Sequence, residues 1–206
     1  MSIKKISLGT AQWGLKYGVS NLQGKTKTSE VSKILSYASS LGIEYLDTAP
    51  SYGNAEIILG KHINSYNFKI ITKTHKISKS TVSKNDTQLV IKTFTSSLKN
   101  LNLSKVHGLL IHNTNDILVK GSEYLIDALR NLKYLNKVDQ IGISIYESKN
   151  LHVICERLNP DIVQLPLNIL DQRFLDDGSL NFLKEKNIKI HVRSVFLQGL
   201  LLYDPL

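Results

Sequence analysis

The chain has 206 residues, 42% apolar and 21% charged, the composition of a single globular domain large enough for a substantial core. Its formal net charge of +9 comes from 26 basic residues, only four of them Arg, scattered along the chain. That pattern sets nucleic-acid binding aside in favour of a lysine-rich solvated surface, with attraction of a phosphorylated ligand as the remaining use of the charge. No apolar stretch approaches the roughly 20 residues of a membrane span, the first residues carry no apolar leader core, and the one cysteine, Cys155, excludes an internal disulfide. A cytoplasmic protein without membrane contact is expected.

An apolar run at residues 6–8 reads as the first strand, followed by Gly9, Thr10 and Trp13. Trp13 either lines a pocket or packs. The Asn- and Gly-containing stretch 17–24 reads as a loop over the same end. Val31, Ile34, Leu35, Ala38 and Leu41 then recur at helical spacing, with Thr28 or Ser29 as N-cap and Gly42 as the stop. A second strand at 45–46 leads into Asp47, with Tyr52 beyond it, and a third at 69–72 leads into Lys73. Ile91, Phe94, Leu98 and Leu101 mark a helix, after which the strand 106–111 leads into His112. Leu125, Ala128, Leu129, Leu132 and Leu135 mark the next helix, 141–143 a strand, and Leu151, Ile154, Cys155 and Leu158 another helix. Cys155 on that apolar stripe is a core residue by position. Strands at 162–165 and 188–192 complete the series.

The strand runs are short, rich in β-branched residues and often continuous, as strands buried on both faces should be. Their alternation with helices, at the spacing of βαβ units of roughly 30 residues, argues for a parallel sheet with helices outside it. A (β/α)8 TIM-barrel type fold is expected, incomplete at about seven strands and lacking the last strand and helices. Such a barrel would leave two open parallel edges, through which the chain would self-associate.

In a barrel of parallel strands, residues at the carboxyl ends converge on one face. Asp47, Tyr52, Lys73 and His112 therefore form one candidate constellation. A free tyrosine, with a pKa of about 10, is a poor acid near neutrality. An ammonium such as Lys73 would lower that value, Asp47 would hold the lysine charged and oriented, and His112 would steer a substrate carbonyl. Taken singly, Asp47 could be a loop cap and Lys73 a solvated lysine; the set carries the reading. It offers no nucleophile, and His62, His75, His107, His152 and His191 have no metal-ligand spacing. Proton transfer paired with hydride from an external cofactor suits it.

Eight ordered segments carry a resemblance: Leu8-Gly-Thr-Ala-Gln12, Gly42-Ile-Glu-Tyr-Leu-Asp-Thr-Ala-Pro-Ser-Tyr-Gly53, Glu56-Ile-Ile-Leu-Gly60, Ile71-Thr-Lys73, Leu109-Leu-Ile-His112, Gly142-Ile-Ser144, Val163-Gln-Leu-Pro-Leu-Asn168 and Ser194-Val-Phe-Leu-Gln-Gly-Leu-Leu201. In that order the chain resembles the aldo-keto reductases. The resemblance implies one barrel domain over residues 1–206, shortened at the C-terminus, NADPH (or NADH) as cofactor, and a small-molecule aldehyde or ketone reduced to an alcohol. It places Tyr52 at the acid position, Lys73 and Asp47 at the tuning pair, and His112 at the carbonyl-orienting position. Gly9 and Thr10 fall beside the cofactor, Ser144 and Gln164 at the nicotinamide carboxamide. Arg193 falls where the family usually has an aromatic ring on the nicotinamide; its plane would substitute for that ring or pair with a substrate anion. The family grips the adenosine phosphate mainly after the seventh and eighth strands, nearly all of which is absent here. A non-catalytic or degenerate binding and regulatory module on the same fold is the alternative.

Overall fold

The computed structural model of the protein describes residues 5–203. Most of the chain start that was read as lacking a leader core, and residues 204–206, lie outside that range. Seven strands form one sheet in which every neighbouring pair is parallel: β1 (Ser7–Gly9), β2 (Tyr45–Asp47), β3 (Lys69–Lys73), β4 (Val106–Ile111), β5 (Val138–Ser144), β6 (Ile162–Pro166) and β7 (Lys189–Arg193), in chain order. Helices connect them: α1 (Ala11–Gly14) and α2 (Thr28–Ser40), α3 (Ala55–Gly60), α4 (Lys84–Leu101), α5 (Asn115–Leu118) and α6 (Ser122–Tyr134), α7 (Leu151–Leu158), then α8 (Arg173–Asp176) and α9 (Ser179–Glu185). The sheet curls into an incomplete (β/α)8 barrel, as expected. Helices α1, α5 and α8 span four residues each, too few to display a periodic stripe in sequence.

Side chains alternate along each strand and so divide between two cores. Leu46, Ile70, Leu109, Ile111, Ile143 and Leu165 join the large core between sheet and helices, with Leu35, Phe94, Leu129 and Ile154. Ile71, Leu110 and Ile162 point the other way and form a small cluster with Tyr45 inside the curl. Each such fully buried side chain contributes about 1.5–3 kcal/mol. The interior is tight: a Cβ on Gly142 would stand 2.1 Å from the Ile162 carbonyl oxygen. Strand β6 is buried throughout, whereas the edge strands β1 and β7 are partly exposed.

The start of α2 differs from expectation. The N-cap of α2 is Lys27, whose carbonyl accepts from the amides of Glu30 and Val31; neither Thr28 nor Ser29 caps it, because both already lie inside the first turn. Gly42 does stop α2. Its φ of +75° lets its own amide reach Ser39 O while the Ile43 amide reaches Ala38 O, a Schellman closure. Helix α4 starts on a Ser83–Asp86 capping box, a device worth about 1 kcal/mol. Its buried line runs Thr87, Val90, Phe94, Ser97 and Leu101, which moves Ile91 and Leu98 to its flanks. Leu135, at the C-cap of α6, is 54% exposed. Cys155 is buried, and burial pushes its thiol up to about 11. Among the described residues, no helix is long and apolar enough to cross a membrane.

Candidate active site

Asp47 ends β2, Lys73 ends β3 and His112 follows β4, so parallel strands deliver all three to the same rim. Lys73 is 1% exposed. Its ammonium donates to both Asp47 carboxylate oxygens at 2.8 Å and to the Thr48 carbonyl at 2.9 Å. The same ammonium also acts on Tyr52, through its charge and through a side-chain hydrogen bond.

Tyr52 stands on the loop after β2, with the Lys73 ammonium 5.0 Å from its ring centre. Its ring meets that of His112 edge to face, centroids 6.4 Å apart and planes at 88°. Backbone contacts hold this loop. A Cβ on Gly14 would stand 1.7 Å from the Tyr52 carbonyl oxygen, and one on Gly53 would stand 2.5 Å from Gly14 O. Helix α1 and the Tyr52 loop therefore touch main chain to main chain, which only glycine permits. Trp13 is buried in the main core, the packing alternative of the two.

Burial raises the Tyr52 phenol above its usual value of 10.0; the Lys73 charge pulls it back and Asp47 pushes it up. The net rise departs from the sequence expectation, which weighed the lysine without the desolvation. Burial would depress Lys73, but Asp47 and Tyr52 outweigh it and keep the ammonium charged. His112 is lowered to about 4, first by burial, then by the charges of Lys73 and Lys76, so its imidazole is neutral at pH 7. A neutral imidazole carries one N–H, the donor a carbonyl oxygen requires.

The remaining expected residues fall into three situations. Ser144 and Gln164 are buried and joined: Ser144 Oγ donates to Gln164 Oε1 at 3.0 Å, and Gln164 Nε2 donates to Asp47 Oδ1 at 2.7 Å. Thr10 is fully buried, with its amide and hydroxyl both donating to the Asp47 carbonyl at 2.9 and 3.0 Å; its visible work is to anchor Asp47. Gly9 pairs in register with Asp47 and faces open space, since a Cβ there would meet nothing within 4 Å. Arg193 ends β7, with its guanidinium 3.7 Å from the Tyr146 ring centre and its Nη2 donating to Ile145 O at 2.9 Å.

Supporting residues went unassigned at the level of sequence. Glu56 is 3% exposed and accepts from Thr72 Oγ1 at 2.7 Å, directly behind Lys73; burial raises its pKa. Asp116 is 1% exposed and accepts from the Ile77 and Ser78 amides and from Asn113 Nδ2, tying the loop after β3 to the loop that begins with His112. The Asn113-x-x-Asp116 spacing was the one available signal, and such spacing is common in loops. In the stretch 17–24, Asn21 bonds Tyr17 O and Gly24 O, and Ser20 Oγ donates to Gln198 O, so the loop after β1 reaches the segment after β7.

The sequence profile of the aldo/keto reductase family matches residues 5–204. Among solved structures, aldo-keto reductase AKR11C1 from Bacillus halodurans (holo form) superposes with a TM-score of 0.77 at 21% identity, over 98% of this chain and 65% of that one. The Pseudomonas aeruginosa protein PA4992 gives 0.74 at 23% identity, over 91% of this chain and 72% of that one. The glycerol dehydrogenase AKR11B4 from Gluconobacter oxydans gives 0.74 at 20% identity, over 96% and 61%. At these identities the likeness is one of fold, and the chain spans 61% to 72% of these relatives' lengths. No protein of curated function matches the sequence significantly.

Proposed function

The chain belongs to the aldo/keto reductase family, and we propose that it reduces an aldehyde or ketone to an alcohol, with Tyr52 as proton donor. The observation that carries this reading is the Lys73 ammonium, fixed by Asp47 and lying 5.0 Å from the Tyr52 ring centre. A donor must be protonated before the reaction, and burial keeps the phenol so. It must then tolerate the negative charge left when the proton departs, and a buried, permanently charged ammonium is placed to stabilise it. His112, neutral and edge-on to Tyr52, would donate its N–H to the carbonyl oxygen and hold it towards the phenol. Such a positioned acid contributes roughly 10²–10⁴-fold.

The residues at this rim fit a nicotinamide cofactor, NADPH or NADH. Open space adjoins Gly9 beside Asp47. Gln164 and Ser144 each use part of their bonding capacity within the protein, leaving Gln164 one N–H and both residues acceptor lone pairs for a carboxamide. Thr10 would act there through Asp47, and Arg193 borders the same rim. A reduced nicotinamide supplies the hydride when bound. We read the chain as a single domain, which works in the cytoplasm on a small carbonyl compound, and whose partly exposed β1 and β7 edges invite pairing with a second copy.

The test is loss of nicotinamide absorbance with a panel of aldehydes and ketones, in wild type and in Tyr52→Phe. Turnover by wild type alone supports the assignment. Cofactor binding without turnover of any carbonyl would favour the non-catalytic module instead.

A further inference from the structure

Arg193 lies over an aromatic ring and, among the described residues, has no ion-pair partner. Its plane rests 3.7 Å from the Tyr146 ring centre, and its Nη2 is fixed to Ile145 O at 2.9 Å. Among the described residues that is the one hydrogen bond its five N–H donors make, and the Nε is buried without an acceptor. The carboxylate that senses its charge, Asp171, is already committed: Arg173 takes both its oxygens, Nε to Oδ1 at 2.7 Å and Nη2 to Oδ2 at 2.8 Å. Among the described residues no carboxylate lies within ion-pair distance of Arg193.

The charge is felt at the catalytic rim. The charges of Lys73, Lys76 and Arg193 lower the His112 pKa, and that of Asp47 raises it. Asp47 is spent on Lys73. Lys76 is exposed on the loop after β3 and Arg193 ends β7, so both cations stand at the carboxyl-end rim that holds His112. A rigid fork with spare donors is suited to an oxyanion, which takes parallel N–H bonds in its plane. An exposed lysine on another loop adds charge without that fixed geometry.

We infer that the carbonyl substrate carries an anionic group, a carboxylate or phosphate, which the Arg193 guanidinium holds with Lys76 as the second cation. This rests on the reductase reading above and specifies its substrate class. Tyr146 acts as a positioning residue that holds the fork in place, and Arg193 determines specificity.

A matched pair of probes tests it: 4-carboxybenzaldehyde and its uncharged methyl ester, each measured by calorimetric binding and by NADPH-dependent turnover. Wild type is expected to prefer the carboxylate by about tenfold to a hundredfold, the range for a charge-assisted hydrogen bond. Arg193→Met should erase that preference while leaving ester binding within about twofold, Arg193→Lys should keep part of it, and Tyr146→Leu should weaken it. Equal binding of acid and ester by wild type, or failure to bind the acid, overturns the inference. So does an equal loss for both probes in Arg193→Met. A parallel loss of NADPH affinity in that variant would assign the guanidinium to the cofactor and overturn it too. Carboxylate preference in binding without turnover of either aldehyde would keep the anion site at Arg193 and overturn the reductase reading, and with it the assignment of that anion to a carbonyl substrate. Turnover of both aldehydes without preference would do the reverse.

Discussion

Gln164 donates a 2.7 Å hydrogen bond to Asp47 across 117 positions of sequence, from β6 to β2, strands that are not neighbours in the sheet. The bond crosses the interior of the curl. It exists because both side chains point inward at the same rim, and it links two residues expected to serve different purposes. Ser144 bonds Gln164, Gln164 bonds Asp47, Asp47 bonds Lys73, and Lys73 lies against Tyr52. The nicotinamide end of the proposed site and its proton donor are thus one connected network, so a change at either end is felt at the other.

Tyr52→Phe should abolish carbonyl reduction, by at least about a hundredfold in kcat. The ring and its contact with His112 survive the substitution, so the far-ultraviolet circular dichroism and melting temperature should be those of wild type. Retention of wild-type turnover would remove Tyr52 from the mechanism.

Lys73→Met should be similarly inactive and should move the alkaline limb of any residual pH profile upward. Burial already raises the Tyr52 phenol and Lys73 opposes that rise; without the ammonium the pKa climbs further. A residual rate with an unchanged pH dependence would make Lys73 a structural residue.

Gly14→Ala should lower kcat by more than tenfold and destabilise the fold. The added Cβ would stand 1.7 Å from the Tyr52 carbonyl oxygen, and main chain cannot step aside as a flexible side chain can. Overpacking of this kind costs about 1–3 kcal/mol. Thermal melting and kcat measured together should both move; an unchanged kcat would mean that α1 does not position Tyr52.

Stability should fall as pH drops from about 6.5 towards about 4. The folded His112 has a pKa of about 4 against an ordinary 6.5, so in that window the unfolded chain takes up the proton and the folded chain does not. Burial lowers His107 and His191 as well, in the same direction. His112→Asn should reduce the slope of unfolding free energy against pH by up to roughly 1.4 kcal/mol per pH unit. Denaturant titrations across the window measure it, and an unaltered slope in the variant would contradict the assignment.

Cys155 should resist thiol reagents in the native protein and react quickly once denaturant is added. It is buried, and its thiol is pushed up to about 11, so little thiolate is present near neutrality. Stoichiometric native labelling within minutes would place it at the surface instead.

All seven strands and the longer helices could be read from the sequence because their signals are local. Val31, Leu35 and Ala38 bury one helix face at a spacing visible in a dozen residues, and Val106–Ile111 announces a strand within six. The rim residues Asp47, Lys73 and His112 were legible for a related reason. Parallel strands all end on one face, so position in the strand predicts the meeting of side chains distant in sequence. The start of α2 was misread because hydroxyl residues cap helices often enough to mislead when they occupy the first turn.

Tertiary structure alone decided the rest. Whether Tyr52 lies above or below its ordinary pKa depends on the balance of burial against a charge, and burial is a property of the packed state. The contact of Gly14 with Tyr52 and the bond of Gln164 to Asp47 come from how far the sheet curls, which no periodicity encodes. The same holds for Arg193: its residue type was visible, but its stacking on Tyr146 and its lack of an acid exist only once β7 is laid beside β6 with the end of β5 just beyond. Local patterns specify which elements form, because hydrophobic burial is read out over a few turns or strand residues. The chemistry of a site depends on distances and desolvation between elements, and those exist only after the elements pack.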